Sequence, residues 1–118
     1  MMSTILHVED ESSIRLLYKE VFEELGYDII QASSAEEALA LLKSSRPDII
    51  ILDLKMPGMG GRAFIRKFQK LKTKIPVVVS TAYPYVAGDP ILQEVDAFIL
   101  KSGNMNGLIN KVKELLAK

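Results

Sequence analysis

The feature that most constrains this chain is its alternation of short β-rich runs with amphipathic helical patterns. Two of the runs, Ile49–Leu52 and Val77–Val79, are apolar throughout, which is typical of parallel strands covered on both faces. Right-handed crossovers between such strands place helices on both sides of the sheet, so the alternation predicts an α/β fold. We expect the strands at Thr4–Val8, Asp28–Ala32, Ile49–Leu52, Val77–Ser80 and Ala97–Leu100.

Helical patterns fill the intervals between the strands. Gly26 predicts the end of a first helix, and Ser34 with Glu37 three residues later predicts the capped start of a second. Pro84, Gly88 and Pro90 predict that the fourth helix is short or irregular and begins near Pro90. The apolar positions of the other helices are Ile14, Leu17, Tyr18, Val21, Phe22 and Leu25 in the first, Ala35, Ala38, Leu39 and Leu42 in the second, Phe64, Ile65, Phe68 and Leu71 in the third, and Leu108, Ile109, Val112, Leu115 and Leu116 in the last.

Length and composition exclude several classes of protein. The 118 residues fit one domain, residues 1–118, with a single continuous core. Lys and Arg together number 15, as do Asp and Glu, and this balance argues against a direct nucleic-acid partner. The absence of cysteine excludes disulfides and thiolate metal sites. No apolar run is long enough to span a membrane, and the first residues lack the features of a secretory signal, so a cytoplasmic location is expected.

Charged and polar residues follow four of the five predicted strands. Glu9 and Asp10 follow the first strand, Asp53 the third, Thr81 the fourth and Lys101 the fifth. The carboxyl ends of parallel strands share one edge of the sheet, where sites gather in such folds. Carboxylates crowded together raise one another's pKa unless a cation neutralises them, and a site of oxygen ligands alone suits Mg²⁺. A carboxylate, a lysine, a hydroxyl and this metal are groups suited to phosphoryl transfer.

Each of these residues also has a simpler interpretation when taken alone. The acidic residues from Glu9 to Glu11 are typical of a helix start, and Asp53 ahead of Pro57-Gly58 is typical of a turn. Thr81 taken singly fits a capping residue, and Lys101 a solvated surface charge. Their occurrence together at successive strand ends favours a site. His7, which lies within the first strand, is interpreted as a structural, hydrogen-bonded histidine.

Over nearly its full length the sequence resembles the receiver domains of response regulators in two-component signalling. The motifs that carry the resemblance are residues 5–11 (ILHVEDE), 48–61 (DIIILDLKMPGMGG), 75–82 (IPVVVSTA) and 97–101 (AFILK). The resemblance implies a doubly wound, CheY-like, five-stranded parallel sheet with strand order 2-1-3-4-5. It also implies that Asp53 is the phosphoacceptor, and that Glu9, Asp10, Asp53 and the backbone carbonyl of Lys55 hold Mg²⁺.

The further roles that the resemblance implies concern the phosphoryl group and the switch. Thr81 would hydrogen-bond the phosphoryl group and Lys101 would pair with it, while the small Ala82 leaves the site open. Phe98 occupies the position of the aromatic rotamer switch, although plain core packing also explains it. Adding a phosphoryl group would draw Thr81 inward and change the surface of the fourth helix, fifth strand and fifth helix. That surface is a possible homodimer interface.

Three departures from the family pattern stand near the site. Ser102 follows Lys101, where relatives carry proline with a cis bond, and a cis bond without proline costs about 2.5–4 kcal/mol. Glu9 replaces the commoner aspartate and lengthens one metal arm. Tyr83-Pro84 lies beside the predicted site.

The resemblance implies a sensor histidine kinase or phosphotransfer protein as phosphodonor and an output protein or domain as target, with no enzymatic role beyond assisting its own phosphorylation and dephosphorylation. Ile14, Leu17 and Tyr18 resemble the patch on which the kinase docks, with core packing as the alternative. One rival function is a degenerate receiver that only binds partners. The other, a phosphohydrolase, is disfavoured because Lys55 stands where such enzymes carry a second acid.

Overall fold

The computed structural model describes residues 3–54, 60–82, 90–101 and 105–117, and within these ranges the five predicted strands are present. The strands are β1 (Thr4–Val8), β2 (Asp28–Ala32), β3 (Ile49–Leu52), β4 (Val77–Thr81) and β5 (Ala97–Leu100), and they form one parallel sheet in the order β2-β1-β3-β4-β5. The predicted fold class and strand order are therefore confirmed. Only the end of β4 differs, since it extends one residue further, to Thr81.

Within the described residues, three α-helices and one 3₁₀ segment connect the strands, and a fourth α-helix follows β5. The helices are α1 (Ser12–Glu24), α2 (Ala35–Leu41), α3 (Gly60–Gln69) and α4 (Asn106–Leu116). In the interval predicted for a short or irregular fourth helix, the described residues form a 3₁₀ turn over Pro90–Glu94. The helix predicted as the fifth is therefore α4 in this numbering.

The predicted end of the first helix at Gly26 and the predicted start of the second at Ser34 are both present. Gly26 adopts φ +96°, a left-handed conformation that ends α1, and its N–H donates to the Glu23 carbonyl. The Ser34 hydroxyl accepts the N–H of Glu37 at 3.1 Å and caps α2. The Glu37 carboxylate reaches back to the hydroxyl of Ser33 rather than to Ser34, so the capping box closes one residue earlier than predicted.

Alternate residues of the strands feed two apolar clusters, one on each face of the sheet. On one face β1, β3 and β4 pack against α2 and α3 through Leu6, Ile50, Phe64 and Val79. On the other face Ile5, Ile51, Phe22 and Val112 join β1, β3, α1 and α4. Because both faces are covered, all four residues of β3 are buried, which explains its apolar run. In the described part of the chain no helix is both long and apolar enough to cross a membrane.

Candidate functional site

Backbone hydrogen bonds that continue past the strands fix the residues at the carboxyl edge of the sheet. The N–H of Glu9 donates to the Ala32 carbonyl at 3.0 Å, and the N–H of Asp53 donates to the Val8 carbonyl at 3.1 Å. The N–H of Lys101 donates to the Thr81 carbonyl at 2.6 Å. The side chains at these positions are therefore presented by ordered backbone.

Three carboxylates meet at this edge. Ligand oxygens from Glu9, Asp10 and Asp53 all lie within 4.8 Å of one another. Glu9 is fully buried and Asp53 is 8% exposed, so little water screens them from each other. The structure thus brings together the three acids that the sequence predicted as a group.

The ammonium of Lys101 enters the same cluster. Its Nζ lies 2.6 Å from Glu9 Oε1 and 3.4 Å from Asp53 Oδ2. The other oxygen of Glu9, Oε2, accepts the N–H of Glu11 at 3.3 Å. Lys101 therefore contacts Glu9 more closely than it contacts Asp53, a pairing that the sequence interpretation missed. The extra methylene of glutamate over aspartate was the available signal.

The pKa shifts show how this cluster distributes its charge. Burial raises the pKa of Glu9 above its ordinary value, and the neighbouring Asp53 adds to the rise, while the hydrogen bond and charge of Lys101 oppose it. Burial alone would lower the pKa of Lys101, but the Glu9 hydrogen bond and the charges of both acids outweigh burial and raise it. Lys101 therefore keeps its positive charge near pH 7, and it is the charged form of Glu9 that the cluster disfavours.

The remaining predicted site residues are placed as follows. Thr81 is fully buried at the end of β4, next to Leu100 in register with it on β5. Phe98 is half-buried and packs against the cluster on the α2 and α3 face. Ala82 is exposed. The Lys55 carbonyl, Tyr83-Pro84 and the Lys101–Ser102 bond lie outside the described residues.

The residues predicted for docking separate on α1. Leu17 is 48% exposed and Ile14 is half-buried, whereas Tyr18 is buried. The Tyr18 hydroxyl shares a hydrogen bond with Ser80 Oγ at 3.3 Å, and its ring stacks on the His7 ring. For Tyr18 the core-packing alternative therefore holds, because a buried ring offers no surface to a partner. Leu16, which the sequence interpretation did not select, is 59% exposed on the same helix.

His7 is the buried, hydrogen-bonded histidine that the strand pattern predicted. Its Nδ1 accepts a hydrogen bond from the Gln31 amide at 3.1 Å. Burial, with smaller effects from the charges of Lys101 and Arg15, lowers the pKa of His7 to about 3, so its ring is neutral near pH 7.

One glycine sets the backbone behind Asp53. A Cβ built on Gly61, in the first turn of α3, would lie 2.6 Å from Leu54 Cα and 2.9 Å from the Asp53 carbonyl oxygen. The N–H of Gly61 also donates to the Leu54 carbonyl at 3.0 Å. The start of α3 therefore packs directly on the backbone that carries Asp53, and only glycine allows this approach.

Comparison with known proteins agrees with this geometry. The sequence profile of the family described as response regulator receiver domain matches residues 5–113. The sporulation initiation phosphotransferase F of Bacillus subtilis is 39% identical over 83 residues, which are 70% of this chain and 67% of that protein. The alkaline phosphatase synthesis transcriptional regulatory protein PhoP of B. subtilis is 38% identical over 82 residues, which are 70% of this chain but only 34% of that protein.

Solved structures extend the likeness to three dimensions. The response regulator TrrA of Thermotoga maritima, in complex with Mg²⁺ and beryllofluoride, superposes with a TM-score of 0.92 at 38% identity, covering 97% of this chain and 99% of that one. TrrA in complex with the histidine kinase ThkA superposes with a TM-score of 0.91 at 39% identity, covering 98% of this chain and 99% of that one.

Proposed function

Because the chain belongs to the response regulator receiver domain family, we propose that it accepts a phosphoryl group on the Asp53 carboxylate. The donor would be a phosphohistidine of a sensor histidine kinase or phosphotransfer protein. The observation that carries the proposal is the convergence of Glu9, Asp10 and Asp53 within 4.8 Å, with Lys101 Nζ 3.4 Å from Asp53. TrrA, whose structure was solved with Mg²⁺ and beryllofluoride, supports it.

The donor set fits Mg²⁺. Glu9, Asp10 and Asp53 offer oxygen atoms only, which suits a small hard cation, and Glu9 is fully buried. Bound there, the ion would neutralise the cluster and polarise phosphoryl oxygens. These three residues would hold it, together with the Lys55 carbonyl that the family resemblance adds.

The proposed reaction is the transfer of a phosphoryl group to Asp53, followed by its hydrolysis. An oxygen of Asp53 forms a bond to phosphorus while the P–N bond of the phosphohistidine breaks, and the departing imidazole keeps the electron pair and takes up a proton. Lys101 and Thr81 face the negative charge on the equatorial oxygens of the transferring group. Hydrolysis of the acyl phosphate by water restores Asp53 and releases phosphate, so the chain assists both its own phosphorylation and its own dephosphorylation.

The positions of Thr81 and Phe98 support a change of the partner-binding surface on phosphorylation. Both lie on strands at the β4 and β5 side of the sheet, where a phosphoryl group on Asp53 would draw the Thr81 hydroxyl and bias the packing of Phe98. The surface formed by β5, α4 and the 3₁₀ turn would then bind an output protein or domain, or a second copy of the chain. On α1, the exposed Leu17 and the half-buried Ile14 support kinase docking.

The test is labelling with a small phosphodonor such as acetyl phosphate in the presence of Mg²⁺, followed by intact-mass spectrometry. We expect one added phosphoryl group in the wild-type chain and none in Asp53→Asn. Asp48→Asn, which changes the aspartate at the other end of β3, is the matched control and should label normally. Labelling of Asp53→Asn at the wild-type level would reject Asp53 as the acceptor.

A second candidate, a degenerate receiver that only binds partners, is favoured by one observation. Lys101 is nearer to Glu9 than to Asp53, so its ammonium is already engaged. Beryllofluoride with Mg²⁺ separates the two functions. A phosphoacceptor should show NMR shifts around Thr81 and Phe98, whereas a degenerate receiver should show none.

A further inference from the structure

A series of side-chain contacts, buried except at the half-buried Gln31, extends from β2 through β1 and Tyr18 of α1 to Ser80 on β4. The amide of Gln31 donates to His7 Nδ1 at 3.1 Å and to the Arg15 backbone carbonyl at 2.7 Å. The His7 ring stacks on the Tyr18 ring, with centroids 4.3 Å apart and planes 9° from parallel. The Tyr18 hydroxyl and Ser80 Oγ then share a hydrogen bond of 3.3 Å. Tyr18 is thus held at its ring and at its hydroxyl.

This series ends beneath Lys101. Tyr18, Ser80 and Lys101 line one small cavity, whose other walls are Ile99, Leu100, Met105 and Leu108. Its volume is about 10 Å³, which is about the space of a single water molecule. Tyr18 and Ser80 therefore lie directly beside Lys101 on this side of the sheet.

The strand register ties Ser80 to the same place. Ser80 pairs with Ile99 and Thr81 pairs with Leu100, after which the N–H of Lys101 donates to the Thr81 carbonyl at 2.6 Å. A contact that holds the Ser80 side chain therefore also holds the end of β4, to which the backbone of Lys101 is hydrogen-bonded.

We propose that Tyr18, acting through Ser80, is a positioning residue that keeps the Lys101 ammonium within reach of Asp53. This inference rests on the proposed function, since it assigns Tyr18 a part in the same phosphoryl transfer. The Tyr18 hydroxyl hydrogen-bonds to Ser80, so its effect on Lys101 is exerted through Ser80. It limits the freedom of a side chain with four rotatable bonds, so that less conformational entropy is lost when the ammonium meets the phosphoryl oxygens.

The series acts by shape and hydrogen bonding, not by charge. The pKa of His7 is lowered to about 3, mainly by burial, and burial raises the pKa of Tyr18, so both rings are neutral near pH 7. Exchanging Tyr18 for phenylalanine should therefore leave the net charge of the site unchanged and affect only the hold on Ser80.

The first experiment observes Lys101 directly. The two Hε protons of a fixed lysine differ in NMR chemical shift, and free rotation averages them. We expect distinct Hε signals for Lys101 in the wild-type chain without Mg²⁺, and a smaller separation in Tyr18→Phe. Tyr27→Phe is the matched control, because Tyr27 packs on Phe22 in the same core cluster but does not line the cavity. An unchanged separation in Tyr18→Phe would overturn the proposal.

The second experiment is a double-mutant cycle on labelling by acetyl phosphate with Mg²⁺. Tyr18→Phe should slow labelling about 3-fold, the size expected for one neutral hydrogen bond. In a Lys101→Met background it should cause no further loss, because there is no ammonium left to position. The same loss in both backgrounds would show a merely structural role and overturn the proposal.

A second variant and the NMR comparison distinguish failure of the Tyr18 proposal from failure to fold and from failure of the proposed function. If Tyr18→Phe does not fold, Ser80→Ala removes the same hydrogen bond from its other side and carries the same expectations. If the wild-type chain takes up no phosphoryl group, the proposed function fails, while the NMR comparison of Lys101 still decides whether Tyr18 holds it.

Discussion

The two ends of β3 each carry an aspartate, and the two aspartates lie in opposite surroundings. At the amino end, Asp48 Oδ2 accepts the N–H of Thr4 at 2.7 Å, and the Asp48 N–H donates to the Thr4 carbonyl in return. At the carboxyl end, Asp53 lies among two further acids and the ammonium of Lys101. One strand thus separates a carboxylate that completes the backbone pairing of the sheet from a carboxylate that belongs to a charged cluster.

The same contrast is repeated along the amino edge. Asp96, just before β5, accepts the N–H of Val77 at 2.8 Å and donates its own N–H to the Val77 carbonyl at 2.9 Å. Asp48 and Asp96 therefore tie together the starts of neighbouring strands. Since free N–H groups of parallel strands are available at one edge and not at the other, an acid at the amino edge can be structural, whereas a group of acids at the carboxyl edge needs a cation.

The largest expected effect that sharpens this comparison is the response to Mg²⁺. At a concentration about 100 times its dissociation constant, Mg²⁺ should raise the free energy of unfolding by about 2.7 kcal/mol, because it binds only the folded cluster. Asp10→Asn should remove most of this gain and Asp96→Asn should retain it. Thermal melting with and without Mg²⁺ measures both, and a wild-type melting curve indifferent to Mg²⁺ would count against the site.

The amino edge should show the opposite behaviour. Asp96→Ala leaves the Val77 N–H without its acceptor and should lower the free energy of unfolding by about 1–2 kcal/mol. The Mg²⁺ response should stay at its wild-type size. Urea denaturation measures the loss, with Asp28→Ala at the exposed start of β2 as the matched control. If Asp96→Ala abolished the Mg²⁺ response, the two edges would not be independent.

The smallest expected effect is a pH dependence specific to the carboxyl edge. Folding raises the pKa of Glu9 above 4.5, mainly through burial, so the folded state favours its protonated form. The stability that Glu9 contributes is therefore fully present below the unfolded pKa and is lost as pH rises through the folded value. Without Mg²⁺, lowering the pH from neutral to about 5 should stabilise the wild-type chain relative to Glu9→Gln. Urea denaturation at both pH values checks the sign, and a difference that does not change with pH would contradict it.

The sequence predicted the elements better than it predicted their side-chain contacts. All five strands follow from short β-rich runs. Two of these runs, in β3 and β4, are apolar because both faces of those strands are buried. The convergence of the acids follows as well, since parallel strands bring their carboxyl ends to one edge.

Contacts between side chains far apart in the chain could not be predicted from sequence periodicity. Glu9 and Lys101 are 92 positions apart, and which acid the ammonium approaches more closely depends on the length of one side chain. Helical spacing assigned Tyr18 and Leu17 to the same apolar face of α1. Tyr18 is buried and Leu17 is exposed, and this difference depends on the packing of Tyr18 against His7 and Ser80, which the spacing does not reveal.

The close approach of Gly61 to Leu54 and Asp53 bears on how this chain can be re-engineered. No other residue fits at position 61 without pushing the backbone that presents Asp53, so a library of variants around this proposed acceptor should hold that glycine constant. Diversity introduced to tune the lifetime of the proposed acyl phosphate belongs instead on side chains supplied by other strands, where a change of chemistry leaves the backbone of Asp53 in place.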